Sequence, residues 1–149
     1  MAAGLVEFDL SSITGIGVTI NQATLSVYEY IVGSSGATFG AYRIIDEWDE
    51  MTVLWSNRPS WTGSQDSVTC DGATGWWDFN ITQLVQDWVD ETEENHGVSI
   101  FYPASGCTFP HIYSSDYGTE EFRPKLEIDY TPPSGLEPAS WGEIKADNR

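Results

Sequence analysis

The densest chemistry in the sequence is the corner Asp46-Glu47-Trp48-Asp49-Glu50, four carboxylates flanking a tryptophan. Carboxylates presented from one loop are what a calcium ion takes, since Ca²⁺ binds carboxylate and carbonyl oxygens. Asp46, Glu47, Asp49 and Glu50 are therefore the candidate ligands of a structural Ca²⁺. A second acidic loop, residues 116–121, offers the same chemistry, and neither has the spaced D-x-D-x-D-G pattern of a dedicated calcium loop. A sugar is the other ligand this composition suits, because pyranose C–H faces stack on an indole. The plainer alternative is that Asp49 or Glu50 caps backbone N–H groups at the corner while Trp48 fills the core.

Trp61, Trp76 and Trp77 are the further candidates for sugar stacking. Trp76 and Trp77 are adjacent in an extended stretch, so one must face the core and the other away. The candidate carbohydrate residues are thus Trp61 and Trp76, and an outward tryptophan would serve a protein partner equally.

Catalytic signatures are missing. There is no G-x-S-x-G, HExxH, Walker or GxGxxG pattern, and His96 and His111 are the only histidines. Some pair among 23 acidic residues will meet the spacing of a glycosidase, so such a pair carries no weight. The chain is expected to be no enzyme and to need no cofactor.

Charge narrows the partners. Six Lys and Arg against 23 Asp and Glu give a formal charge of −17, which repels phosphate backbones and anionic membrane surfaces. Neutral glycans and divalent cations remain compatible. No apolar run approaches the ~20 residues of a membrane span. The opening Met1-Ala2-Ala3-Gly4 has neither the basic nor the apolar part of a signal peptide. The expectation is a mature or engineered end, or a protein made without secretion. Cys70 and Cys107 are the only cysteines and fit either one exposed disulfide or two free thiols.

The elements that must position these residues are short strands. Residues 5–10 alternate Val6, Phe8 and Leu10 against Leu5, Glu7 and Asp9. Residues 23–32 put Ala23, Leu25 and Val27 on one face, opposite Thr24, Ser26, Tyr28 and Tyr30. Strands are expected over 38–45, 52–55, 67–70, 76–79, 98–102 and 111–114, with a short piece at 18–20 and a loop over 62–66. Ile81, Leu84, Val85, Trp88 and Val89 follow helical spacing, with Asn80 or Thr82 as N-cap and a capping-box contact from Gln83. Leu126, Ile128 and Tyr130 face inward on the last strand of the domain.

These elements predict an all-β fold, a jelly-roll-like antiparallel β-sandwich with one short helix at about 81–90 and an extended C-terminal tail. The expected domain is 1–130, and 131–149 is a Pro/Gly linker followed by a docking tail. Ser140-Trp141-Gly142-Glu143 fits a capping box that would start a helical turn carrying Trp141 and Ile144.

Five blocks in order, LVEFDLSSI, ATLSVYEY, YRIIDEWDEMTVLWSNRPSW, WDFNITQLVQDWV and YSSDYGTEEFRPKLEIDY, resemble the DNRLRE-type, disaggregatase-related domain over nearly all of residues 5–130. The resemblance implies a non-catalytic sandwich of extracellular and surface proteins, in a family that includes carbohydrate-binding modules and alginate binders. Family domains carry strands ahead of the block at Leu5, so it also implies an uncovered sheet edge here. Arg43, Arg58, Arg123 and Lys125 alone supply positive charge within the domain, which is sparse for a binder of acidic glycans.

Two functions follow. In the first, favoured by the tail and linker, the chain is a structural subunit of an extracellular assembly, a virion surface protein or a filament. Its partners are then copies of itself or other subunits, docked through Leu136, Trp141 and Ile144. In the second it is a carbohydrate-binding module of a secreted or surface protein, with neutral glycans as partners. Either places it at an extracellular surface or on a virion.

Overall fold

A computed structural model describes residues 2–134 and 142–145 of the chain. Among these residues, nine strands form two antiparallel sheets that face each other as a sandwich. The first sheet runs in the order β1 (Ala3–Val6), β6 (Val98–Phe101), β3 (Thr38–Ile44), β4 (Trp61–Thr69). The second runs β5 (Gly75–Asn80), β2 (Thr19–Ile31), β8 (Lys125–Thr131), β9 (Gly142–Lys145). A short β7 (His111–Ile112) also pairs with β2, at Glu29 and Ile31.

The alternation read from the sequence sets the faces. Val6, Phe8 and Leu10 are buried, as are Ala23, Leu25 and Val27 on β2 and Leu126 and Ile128 on β8. Trp77 turns inward onto Phe39, 5.2 Å between ring centroids, and Trp76 turns outward. The same period of two carries Glu29 inward, fully buried, where one carboxylate oxygen accepts the Gly33 N–H and the other has no partner.

Helix α1 (Thr82–Val89) buries Leu84, Val85, Trp88 and Val89, the predicted face. No side chain caps it from the N-cap position, Ile81. Asn80 Oδ1 instead accepts the Thr82 amide and hydroxyl, and Gln83 reaches forward to Asp87 rather than back. Gln86 ties the helix to β2 by accepting the Ile20 amide and donating to the Val18 carbonyl. Among the described residues no helix is long and apolar enough to cross a membrane.

Four expectations change. The piece expected at 18–20 and the strand expected at 23–32 are one long strand, Thr19–Ile31, because pairing with β8 continues across a bulge between Ile20 and Gln22. The polar stretch expected as a loop at 62–66 is part of β4, where pairing with β3 supplies the order that hydrophobic alternation does not. Residues 52–55, expected as a strand, are instead turns leading into a 3₁₀ turn at Trp55–Asn57. Gly142–Lys145 is a strand, not a helical turn: so short a helix is marginal alone, and the open edge of β8 offers main-chain partners. Ile144 stands opposite Leu126 in that register. Leu136 and Trp141 lie outside the described residues.

The core lies between the sheets, but the outer face of the first sheet is also covered. Ala3 and Leu5 pair with Phe101 and Ser99, whereas Gly4 and Val6 pair with the core residues Ile100 and Val98. Directly paired residues share a face, so Ala3, Leu5, Ser99 and Phe101 look outward. Ser99 is nevertheless fully buried. Residues 45–60 contribute Trp48 and Trp55 to the region over β1 and Phe101.

Candidate functional site: an aromatic groove over the first strand

The loop 45–60 is held in shape by its own polar side chains. Its ends meet where the Ile45 amide donates to the Ser60 carbonyl and the Ser60 amide donates to Asp46 Oδ2 at 2.8 Å. The Ser60 hydroxyl and amide hold the Asp46 carboxyl below its ordinary value. Asp49 accepts the Met51 amide at 2.8 Å through its side chain and the Thr52 and Val53 amides through its carbonyl. Asn57 accepts the Leu54 amide and donates to the Thr52 carbonyl.

Two tryptophans depend on this scaffold. Trp48 is pinned from outside the loop, its indole N–H donating to the His96 carbonyl at 2.9 Å. That carbonyl sits next to Gly97, which has φ of 87° and leaves only 2.2 Å between an added Cβ and the Val6 carbonyl oxygen. A side chain there would push β1 away from the loop. Trp55 is 40% exposed. The Arg58 guanidinium lies 3.9 Å above its ring, and Arg58 Nη1 donates to the Trp55 carbonyl at 2.7 Å. Trp61 is half-buried behind this pair, 5.0 Å from Phe101 and 5.4 Å from Arg58.

Between the loop and β1 runs a groove with two lobes. One, a cavity of about 280 Å³, is lined by Ala3 and Leu5 of β1 and by Trp48, Glu50, Val53, Leu54, Trp55 and Arg58. The other, about 220 Å³, opens where β1 and β7 bring the margins of the two sheets together, and Glu7, Ile112, Tyr113, Ser114 and Ser115 line it. Leu5, Trp48 and Glu50 line both lobes, which flank β1 from its outer side and from the margin of the core. Leu54, 67% exposed, and Met51 add apolar surface to the loop.

Among the described residues, no three His, Cys, Asp or Glu side chains are gathered as a metal site. Asp46 and Asp49 are engaged with backbone amides, while Glu47 and Glu50 line different hollows beside Trp48. The acidic corner works as the turn-capping device named above as the plainer alternative. Trp48 differs from that picture, since it walls the groove instead of filling the core.

The other sequence candidates fall on separate surfaces. Trp61 begins β4 in the first sheet, and Trp76 lies on β5 in the second, so they form no common platform. Trp76 packs edge-on to Tyr28 at 5.3 Å, with Lys125 Nζ 4.8 Å from its ring. Beside it Tyr30, Tyr113 and Tyr117 stack in series at 4.3 and 3.7 Å. Tyr117 hydrogen-bonds the Tyr113 hydroxyl, and this bond with burial pushes Tyr113 up to about 12. Cys70 and Cys107 are free thiols, Cys70 buried against Glu29.

In sequence, Trp48 belongs to a cation or sugar corner, and Trp55 is not among the sugar-stacking candidates. The signal for Trp55 was the spacing Trp55-x-x-Arg58, which puts the two side chains on one side of a single 3₁₀ turn. Read with a period of two, the same residues look like the end of a strand.

The sequence model of carbohydrate-binding module family 96 matches residues 2–130, and the chain belongs to that family. A search of curated proteins gives no match. The match agrees with the carbohydrate-binding part of the resemblance drawn above, and it favours the binding-module expectation over that of an assembly subunit. Carbohydrate-binding modules are binding domains, not catalysts.

Proposed function

We propose that this chain is a non-catalytic module that binds a glycan in the groove between β1 and the loop 45–60, as part of an extracellular or surface protein. The observation that carries the proposal is the pairing of two fixed indoles, Trp48 and Trp55, over the apolar side chains Ala3 and Leu5. Concave sites with apolar walls and a few placed polar groups are how proteins hold small ligands. Here Trp55 offers a stacking surface, and Glu50 and Arg58 offer an acceptor and donors to hydroxyls. Rigid indoles also lose little conformational freedom on binding.

The test compares Trp55→Ala with Trp76→Ala in binding to soluble polysaccharides. Trp55 is exposed, so the fold survives its loss. The proposal expects Trp55→Ala to weaken binding by at least about tenfold, which corresponds to ~1.4 kcal/mol. Trp76→Ala should leave it unchanged. Binding that survives Trp55→Ala and is lost with Trp76→Ala would move the site to the other face.

A further inference from the structure

We infer that the outer edge of β1 takes an added strand, and that its partner is an extended polypeptide alternating basic with apolar residues. This goes beyond the glycan reading and concerns the lobe of about 220 Å³, not the one that holds Trp55. Gly4 and Val6 belong to the inner face of β1 and Leu5 to its outer face, yet all three line that lobe. A hollow that touches both faces of an edge strand runs along its unpaired side. β1 ends the first sheet, with β6 as its strand partner among the described residues. Its other side therefore presents main-chain N–H and C=O groups to the hollow.

Edge strands are ordinarily protected from such pairing by charge, proline or irregular register. Ala3–Val6 has none of these: its sequence is Ala-Gly-Leu-Val, and its register with β6 is unbroken. β4, the opposite edge of the same sheet, carries Asp66 and pairs with β3 through register shifts at Tyr42. On the second sheet, Gly142–Lys145 shows that four residues are enough to join an edge, there that of β8.

The walls of the hollow specify the partner. A strand laid beside β1 points alternate side chains to opposite faces. Those turned inward meet Val27, Ile100 and Ile112, an apolar seat at the margin of the core. Gly4 keeps that seat open, since an added Cβ there comes within 3.1 Å of Ile112 Cδ1. Those turned outward meet Trp48 and Glu50, and Glu7 stands just past the end of β1. Both charged residues lining this lobe are acidic. Arg58 lines the other lobe, which Glu50 shares, and there it stacks on Trp55. Basic side chains at the outward positions of the added strand complement Glu7 and Glu50, and a formal charge of −17 draws a basic segment in. The same charge disfavours a second copy of this chain at the edge, because pairing β1 with β1 gathers the acids of both copies. This is strand addition, in which main-chain hydrogen bonds give affinity and side-chain seats give specificity.

The experiment titrates the full chain with synthetic peptides of equal length: alternating lysine and valine, alternating glutamate and valine, and the lysine–valine peptide with two adjacent prolines at its centre. The lysine–valine peptide is expected to slow amide exchange at Ala3–Val6 and to shift the Trp48 indole N–H while Trp55 stays in place. The proline peptide should not bind, since it lacks the donors of the ladder. The glutamate peptide should bind several-fold more weakly, with the difference shrinking at high salt. Glu50→Lys, at an exposed position, should weaken the lysine–valine peptide several-fold. Equal binding of the lysine and glutamate peptides overturns the partner chemistry, and equal binding of the proline peptide overturns strand addition. Unprotected β1 amides at saturating peptide overturn the site. Dimers that protect those amides without peptide would give the edge to a second copy, and a polysaccharide that protects them would give it to the glycan; either contradicts the inference.

Discussion

Arg58 lies 3.9 Å above the ring of Trp55 and hydrogen-bonds the carbonyl of the same residue, so one side chain fixes both the indole plane and the backbone that carries it. An exposed tryptophan on a loop would otherwise sample several rotamers, and each would have to be given up on binding. Arg58 does this from three residues away because the 3₁₀ turn aligns the two positions. Trp61 stands behind Arg58 and Phe101 behind both tryptophans, so the pair is backed by the first sheet.

Arg58→Lys should keep the charge and lose the planar stacking and the fixed fork of donors. The expected cost is part of the roughly 0.5–1 kcal/mol of an exposed cation–π pair, together with the hydrogen bond to the Trp55 carbonyl. Glycan affinity should fall several-fold with little change in melting temperature. Equal affinity in the two proteins would show that Trp55 is held by other contacts.

Asp46 closes the base of the loop through the hydroxyl and amide of Ser60, and its carboxyl is held below the ordinary 3.8. A depressed folded value means that the ionised form is favoured in the fold. The stabilisation is therefore complete above pH 3.8 and is lost as pH falls through the lower, folded value. Denaturant unfolding across the acid range should show a smaller loss in Asp46→Asn than in wild type. Parallel acid profiles would contradict this assignment.

Tyr113 should ionise late, since the Tyr117 hydrogen bond raises it from 10.0 to about 12. A raised folded value contributes stability that is intact below pH 10 and lost as pH rises through about 12. Phenolate absorbance should resolve this late step, and Tyr117→Phe should shift it back toward the ordinary range. A late step that persists in Tyr117→Phe would assign it to another residue.

Gly97→Ala should destabilise the fold by more than about 1 kcal/mol, because alanine is strained at positive φ. Contact with the Val6 carbonyl adds to that cost. The measurement is urea unfolding. Because His96 holds Trp48, the same variant should also weaken glycan binding. Unchanged stability would mean that β1 moves freely against this turn.

Much of the scaffold was legible because period-two burial is a strong signal. Val6-x-Phe8-x-Leu10 and Leu25-x-Val27 marked the core faces, and adjacency put Trp76 and Trp77 on opposite faces, of which Trp77 is the buried one. The helical stripe from Ile81 to Val89 was equally plain. What failed was local. Trp61–Thr69 is an edge strand whose polar residues carry no alternation, so its order comes from pairing with β3. The Gly142–Lys145 strand is too short to signal itself and is defined by the edge it joins. The groove was hidden for a related reason. Leu5, Trp48, Trp55 and Phe101 are far apart in sequence and meet only because β1, β6 and the loop share one outer face. Glu29 followed the inward pattern of its strand and was passed over because a carboxylate is not expected there.

The central claim is that a glycan lies between Trp48 and Trp55. It is tested most directly by following the indole N–H resonances of all seven tryptophans during titration with a neutral hexose oligosaccharide. Trp48 and Trp55 should shift with one shared affinity, while Trp76 and the buried Trp77 and Trp88 stay in place. Shifts confined to Trp76, with Trp48 and Trp55 unmoved, would contradict the account and assign binding to the tyrosine-bearing face of the second sheet.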